Sequence, residues 1–186
     1  VKMISAKESQ ASQGVDMHRT VFLLNHPALG RPFVVDIFKA QSMQKHQYDL
    51  PFYYKGQLIY TTYKYDASTE QRSLIGTENG YQHLWVEAKG ASDANMATTT
   101  WLNDNRFYSI STLTNKDTEL YLNRIGGTDP NFNLRNDPSL MIRQKGADNQ
   151  TFVSVIEVHG DYNPRLEYTI DPYSAVSNIQ LIADTE

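Results

Sequence analysis

The chain has 186 residues, no cysteine and a formal net charge of −4, with a sequence pI of about 5.7. The lack of cysteine excludes disulfides, thiolate catalysis and cysteine metal sites, and a mildly acidic chain without a dense Lys/Arg run argues against nucleic acid as a partner. No apolar run approaches the roughly 20 residues that cross a bilayer, and a chain of this length buries about 70% of its unfolded surface without a metal or disulfide staple.

In chain order, residues 1–14 (VKMISAKESQASQG) show no useful period. They read as a frayed leader or the tail of a preceding element, at an internal point of a longer polypeptide rather than at a hydrophobic targeting core. Residues 15–186 read as a single β-sandwich domain. Met17 to Leu24 is strand-like and stops at Asn25-His26-Pro27. Phe33 to Phe38 is apolar except for Asp36, as in a buried strand, and a polar connection from Lys39 to Gln44 leads to a second extended segment, His46 to Leu50. Gln57 to Tyr63 is a further strand, and Asp66 to Asn79 a polar surface connection. Tyr81 to Ala88 alternates, with Tyr81, His83, Trp85 and Glu87 on one face and Gln82, Leu84, Val86 and Ala88 on the other. Asn103-Asp104-Asn105 closes a hairpin between Met96–Leu102 and Arg106–Leu113.

Thr118 to Ile125 is followed by the most loop-like stretch of the chain, from Gly126 to Pro138, with two Asp-Pro pairs and a Gly-Gly. Leu140 to Arg143 reads as a short strand, Asp148-Asn149 as a turn, and Thr151 to His159 as an alternating strand. Gly160 to Pro164 is a turn, and Arg165–Ile170 and Asn178–Ile182 are the last strands. About a dozen short strands at this spacing, with no sustained helical period, predict an all-β, antiparallel β-sandwich with little or no helix.

The chemistry-bearing residues are dispersed. His18, His26, His46, His83 and His159 never fall within four residues of one another, so no local metal motif exists. There is neither a GxSxG elbow nor a phosphate loop. Asp36, Asp49, Glu87 and Glu157 lie in or beside strands, and no spacing marks a catalytic pair. Asp36 reads first as a structural carboxylate held by Arg31 or a backbone amide. His46 and Tyr48 share one strand face. His83 and Trp85 share another, which reads first as sandwich core at Trp85 and, after that, as a small sugar-stacking platform. Arg124 and Arg135 bracket the long loop, and guanidinium is the donor best matched to planar carboxylates. Glu119 and Asn133 are placed to bind hydroxyls. No catalytic residue is identified; Glu119, Arg124, Asn133, Arg135, His46 and Tyr48 are the candidate substrate-binding set.

Five stretches, taken together and in order, resemble the C-terminal β-domain of heparinase II/III-like polysaccharide lyases, most of all the oligoalginate lyases. They are HRTVFLLNHPALGRPFVVDIF, KHQYDLPFYYKGQL, GYQHLWVEAKG, LYLNRIGGTDPNFNLRNDP and QTFVSVIEVHG, which span most of residues 18 to 160. The resemblance implies a longer bacterial enzyme with an N-terminal (α/α) toroid and a supersandwich-like β-region. It implies β-elimination on acidic polysaccharide: a base takes the C5 proton, a neutralised carboxylate stabilises the carbanion, and an acid protonates the departing O4. It also implies a periplasmic or extracellular setting. The proton-transferring tyrosine and histidines of such enzymes match no position here. Their structural zinc, bound by His and Asp, would lie in a part of the β-region preceding Val1. No cofactor is expected in this segment, and its partners would be the acidic oligosaccharide and the toroid of the same polypeptide. On that expectation the chain braces the toroid and lends a loop to the substrate cleft, and is inactive alone. The alternative from the aromatic content is a self-standing carbohydrate-binding β-sandwich; a third is a purely structural domain.

Overall fold

In a computed structural model, which describes residues 1–127 and 134–182, the chain is an all-β sandwich of antiparallel strands. The first three strands, β1 (Lys2–Glu8), β2 (Val15–Leu24) and β3 (Phe33–Tyr53), form a meander. β4 (Gln57–Thr61), β5 (Lys64–Ala67) and β6 (Leu84–Ala91) follow, then the hairpin of β7 (Met96–Asn103) and β8 (Arg106–Leu113). β9 (Thr118–Gly126), β10 (Leu134–Asn163) and β11 (Tyr168–Ile170) complete the set.

The 21-residue β3 and the 30-residue β10 run antiparallel through both layers. In the larger layer the first half of β3 pairs with the second half of β10, flanked by β1 and β2 on one side and β8, β7 and β4 on the other. In the smaller layer the second half of β3 pairs with the first half of β10, which continues to β9, β6 and β5. Register shifts around Ala147 separate the two halves, and Gly146 there has φ of +67°. Such bulges bend a strand and raise its twist, which lets one pair pass from layer to layer. Pro51 fits because the second half of β3 is the edge of the smaller layer and needs no outward N–H.

Each β-hairpin choice follows local chemistry. Asp104 and Asn105 both adopt positive φ, +48° and +62°, the type I′ conformation that matches strand twist. Between the layers, Ala40, Ala97, Ile110 and Phe152 of the larger one face Leu50, Leu120, Leu122, Leu140 and Ile142 of the smaller. Phe38 stacks on Phe152 at 6.2 Å. A second cluster, Leu84, Val86, Tyr121 and Met141, lies on the outer face of the smaller layer, with Ile75, Tyr81 and Ile125 packed against it.

Several expectations change. Within the stretch read as a frayed leader or the tail of a preceding element, Lys2–Glu8 is a strand; every residue in it is exposed, and among the described residues its outer edge is unpaired. Lys39–Gln44 is no connection but part of β3, and Asp148-Asn149 is no turn but part of β10. Polar composition misled there because the ladder partner continues alongside and satisfies the backbone. Asn178–Ile182 is not a strand; it belongs to a C-terminal strap in which Ile179 is buried. Asp36 is a buried, hydrogen-bonded carboxylate as expected, but its partner is Arg19, at 2.9 and 2.5 Å, not Arg31. Arg19 is its diagonal neighbour across the β2–β3 ladder, two positions from Val21, which stands opposite Asp36, and only register reveals it.

Candidate functional site

At one end of the sandwich a cleft of about 840 Å³ opens where Tyr54, Gln57, Tyr65, Glu87 and Arg124 meet the tip of the β7–β8 hairpin. Arg124, near the end of β9, is aligned across the ladder with Trp85 of β6. Its Nε and Nη2 donate to the two carboxylate oxygens of Glu87 at 2.9 and 3.0 Å. Arg72 Nη2 donates to the same carboxylate at 3.2 Å. Two guanidiniums therefore converge on one carboxylate in charge-assisted hydrogen bonds, and Asp104 adds a second carboxylate to the cleft lining. Register explains why Glu87 is available: a bulge between Val86 and Ala88 turns it out of the regular alternation.

Tyr54 forms the cleft wall. Burial, helped by the nearby Glu87 carboxylate, pushes its hydroxyl up to about 12, so it is a neutral phenol at physiological pH. Its ring packs against Trp101 at a tilt of 35°, with centroids 4.8 Å apart. Tyr54 carried no sequence signal beyond the general abundance of tyrosine; its position depends on where β3 ends.

The six sequence candidates are not brought together. Arg124 lines the cleft. Arg135, at the start of β10, is exposed. Asn133 lies outside the described residues. Glu119 lies five residues from Arg124 on β9, hence on the opposite face, and lines a second groove with Lys64, Lys89, Lys116 and Lys145. His46 and Tyr48 do share a face, with rings 5.9 Å apart, but neither lines the Arg124 cleft. Tyr48 is 8% exposed and its hydroxyl donates to the Asp148 carbonyl, while His46 bonds Ser42 at 3.0 Å. Burial raises the Tyr48 hydroxyl, and Asp148 adds to the effect.

Glu119 is held by Lys89 at 2.6 Å, Lys145 at 2.8 Å and the Tyr121 hydroxyl at 2.9 Å. Burial pushes its carboxyl up, but the donations from Lys145, Lys89 and Tyr121 outweigh that and hold it at about 2. The folded value is below the ordinary 4.5, so its stabilisation is complete above pH 4.5 and is lost as pH falls towards 2. The Glu119→Gln variant should therefore lose less stability than the parent between pH 5 and 2. Parallel melting curves across that window are the check; identical acid slopes would refute the assignment.

Beyond Glu119, the outer face of the smaller layer carries a network with no sequence motif. Arg143 is paired bidentately with Asp49 at 2.8 and 2.7 Å, and Tyr81 donates to the same carboxylate at 2.6 Å. The Arg143 guanidinium lies 4.9 Å from the Tyr121 ring centroid.

No protein-family model matches the chain. It is 36% identical over 184 residues to an alginate lyase of Stenotrophomonas maltophilia, matching 99% of this chain and 24% of that protein. It is 35% identical over 186 residues to an exo-oligoalginate lyase of Saccharophagus degradans, matching 98% of this chain and 25% of that protein. The chain is a homologue of a segment of these alginate lyases. It spans about a quarter of their length. Among solved structures, a heparan sulfate lyase HepC mutant from Pedobacter heparinus aligns over 83% of this chain and 22% of its own, at 13% identity and a TM-score of 0.44. That likeness is too low to bear on function. The chain thus presents a cleft containing Arg124 and a separate groove containing Glu119.

Proposed function

We propose that this chain is the C-terminal β-sandwich segment of a polysaccharide lyase that cleaves uronate-containing polysaccharide, alginate oligosaccharides above all, by β-elimination. The observation that carries the reading is the 36% identity to an alginate lyase along nearly the whole chain. In such a reaction the C5–H bond and the C4–O4 bond break, a C4–C5 double bond forms, and one proton leaves at C5 while another reaches O4. The segment assigns none of these proton transfers to itself. Its role is to brace the toroid and to present Arg124 and the loop running to Arg135 at the edge of the substrate cleft. Arg124 suits this because it lines the cleft and Glu87 fixes the orientation of its planar guanidinium.

Two features support a bracing role. Among the described residues the outer edge of β1 is unpaired, and its Met3 and Ile4 side chains are 64% and 71% exposed. An open strand edge of this kind is a template for further pairing. A structural zinc is proposed for the part of the β-region that holds the relevant His and Asp residues. Among the described residues, no group of three or more His, Asp or Glu side chains is gathered to hold a metal.

The test is a lyase assay with alginate and heparan oligosaccharides, followed by the ultraviolet absorbance of the unsaturated uronate product. This chain would be compared with the full-length polypeptide. Turnover by the full-length protein alone is the expected result. Turnover by this chain alone would overturn the bracing role, and no turnover of either substrate by the full-length protein would overturn the reading as a whole.

A further inference from the structure

The larger layer is wider than the smaller one. Among the described residues, the smaller layer stops at the second half of β3, whereas the larger continues past the first half of β3 to β2 and β1. The ladders of this wing run without register shifts, so directly opposite residues share a face. Met17 stands opposite Ala40, and both belong to the core between the layers. Two-residue alternation then puts Val21 and Leu23 on that same inner face, with Ile4 opposite Val21 and Val34 opposite Leu23. Burial falls off along it. Val15 and Ala40 are buried and Val21 and Val34 half-buried, but Leu23 is 39% and Ile4 71% exposed. The core runs out beneath the wing before the apolar residues do.

The sequence of the wing is that of strands covered on both sides. Residues 21–24 (VFLL) and 33–38 (FVVDIF) are nearly continuous apolar runs, the pattern of a strand buried on both faces. In the structure Asp36 is the one residue of these two runs that is buried; the others are half-buried or, like Leu23, exposed. The charges on the inner face do not make it a site for an ion, because Arg19 and Asp36 neutralise each other at 2.9 and 2.5 Å. What remains is an apolar surface around a paired charge, which suits an apolar protein surface and not an acidic sugar.

We infer that the inner face of β1, β2 and the start of β3 seats an apolar surface belonging to the rest of the same polypeptide. This rests on the proposed reading of the chain as one segment of a longer lyase. About three quarters of the length of the matched alginate lyases lies outside the matched segment, so ample chain exists to cover the face. A surface in the same polypeptide also meets the wing at a high effective concentration, an advantage that a second copy lacks. Docking there removes Ile4, Val21, Leu23 and Val34 from water and completes the burial that the two apolar runs call for. The bracing contact is thereby assigned to one face of one wing, at the edge of the larger layer opposite to β4.

The experiment uses the full-length polypeptide without substrate. This chain has no cysteine, so single thiols are introduced by Leu23→Cys, by Ile4→Cys and, as the control, by Ile59→Cys on β4, where the side chain is 46% exposed. Labelling with a water-soluble maleimide is followed peptide by peptide in the mass spectrometer. Ile59→Cys should label fast, and Leu23→Cys and Ile4→Cys about tenfold more slowly until denaturant is added. Ile4→Cys serves if Leu23→Cys does not fold. A lysine cross-link from Lys2 or Lys7 of β1 to a residue outside this segment, formed in the monomeric protein, is the second expected result. Equal labelling at all three positions overturns the inference. So does protection at positions 4 and 23 that disappears on dilution, because a second copy is then the occupant. The lyase assay is read separately: slow labelling without turnover of either oligosaccharide upholds the docking surface and fails the uronate reading, and turnover with equal labelling does the reverse.

Discussion

Replacing Asp49 by Ala is expected to destabilise the chain by about 3–5 kcal/mol, among the largest effects of any single substitution here. The reason is the state in which it leaves Arg143. The two side chains are 4% and 7% exposed and bond bidentately at 2.8 and 2.7 Å. The hydrogen bond to Asp49 raises the Arg143 pKa above its already high value, so the guanidinium stays charged at any pH at which the protein is handled. Without Asp49 it is a buried cation beside Tyr121 and Tyr81, 4.9 and 5.9 Å from their ring centroids, with its carboxylate partner gone. Such cation–π contacts contribute about 0.5–2 kcal/mol and do not replace a carboxylate. For a chain of this size the loss corresponds to a melting temperature lower by about 10 °C. The double variant Asp49→Leu/Arg143→Met removes both charges and should recover most of the stability, because a matched apolar pair carries no desolvation penalty. Thermal unfolding of the parent, the single and the double variants decides the matter. A double variant as unstable as Asp49→Ala would show that shape, not charge, is what the pair supplies.

Gly160→Ala should release the C-terminal strap. Gly160 has φ of +49°, and a Cβ at that position would collide with the carbonyl oxygens of Ile170 and Asp171. Those carbonyls belong to the point where the strap begins. His159 Nδ1 bonds the Asp171 carbonyl at 2.8 Å, while its Nε2 meets the Ser109 hydroxyl at 2.8 Å. Arg31 reaches the Asp171 carboxylate, and Glu157, 1% exposed, receives the Ser174 hydroxyl and, at 2.9 Å, the Ala175 N–H. Displacing the backbone at residues 170–171 undoes these together. The expected cost is about 2–4 kcal/mol, with residues 171–182 becoming susceptible to protease. Gly146→Ala is the matched control. Its φ of +67° is equally left-handed, but a Cβ there meets nothing within 4 Å. It should show only the backbone penalty of about 1–2 kcal/mol and an intact strap. Equal proteolysis in both variants would mean that the close approach at Gly160 does not hold the strap in place.

The sequence was informative wherever the physics is local. The β7–β8 hairpin was legible to within one residue, because Asp104-Asn105 supplies the positive φ angles of a type I′ turn between two strand-like runs, Asn103 belonging to β7. The alternating burial of β6 was legible at Leu84, Val86 and Ala88, but the bulge between Val86 and Ala88 was not, and it leaves Leu84 and Val86 in the outer cluster and Ala88 in the core between the layers. The all-β class followed from strand-length runs and the lack of any helical period. The ordered resemblance to the oligoalginate lyases, visible in motifs such as VVDIF and YQHLWVEAKG, agrees with homology that extends over nearly the whole chain. Asp36 announced itself as a buried carboxylate, since one charge inside an apolar run must find a partner.

What only the tertiary structure decided is which residues meet. Glu119 and Arg124 are neighbours in sequence, yet the two-residue period of β9 sends them to different faces and different grooves. Arg143 and Asp49 are 94 positions apart, and nothing near either one predicts the pair. Asp36 chose Arg19 over the nearer Arg31 because ladder register, not sequence distance, places side chains within reach. The same holds for β3 and β10. Polar stretches such as Lys39–Gln44 look like connections when read alone, but a long antiparallel partner satisfies their backbone and keeps the strand running from one layer to the other. The cleft at Arg124 exists because that shared strand pair brings the end of β3, the bulge at Glu87 and the β7–β8 hairpin to one end of the sandwich. Local propensity determines the strands; long-range register determines the site.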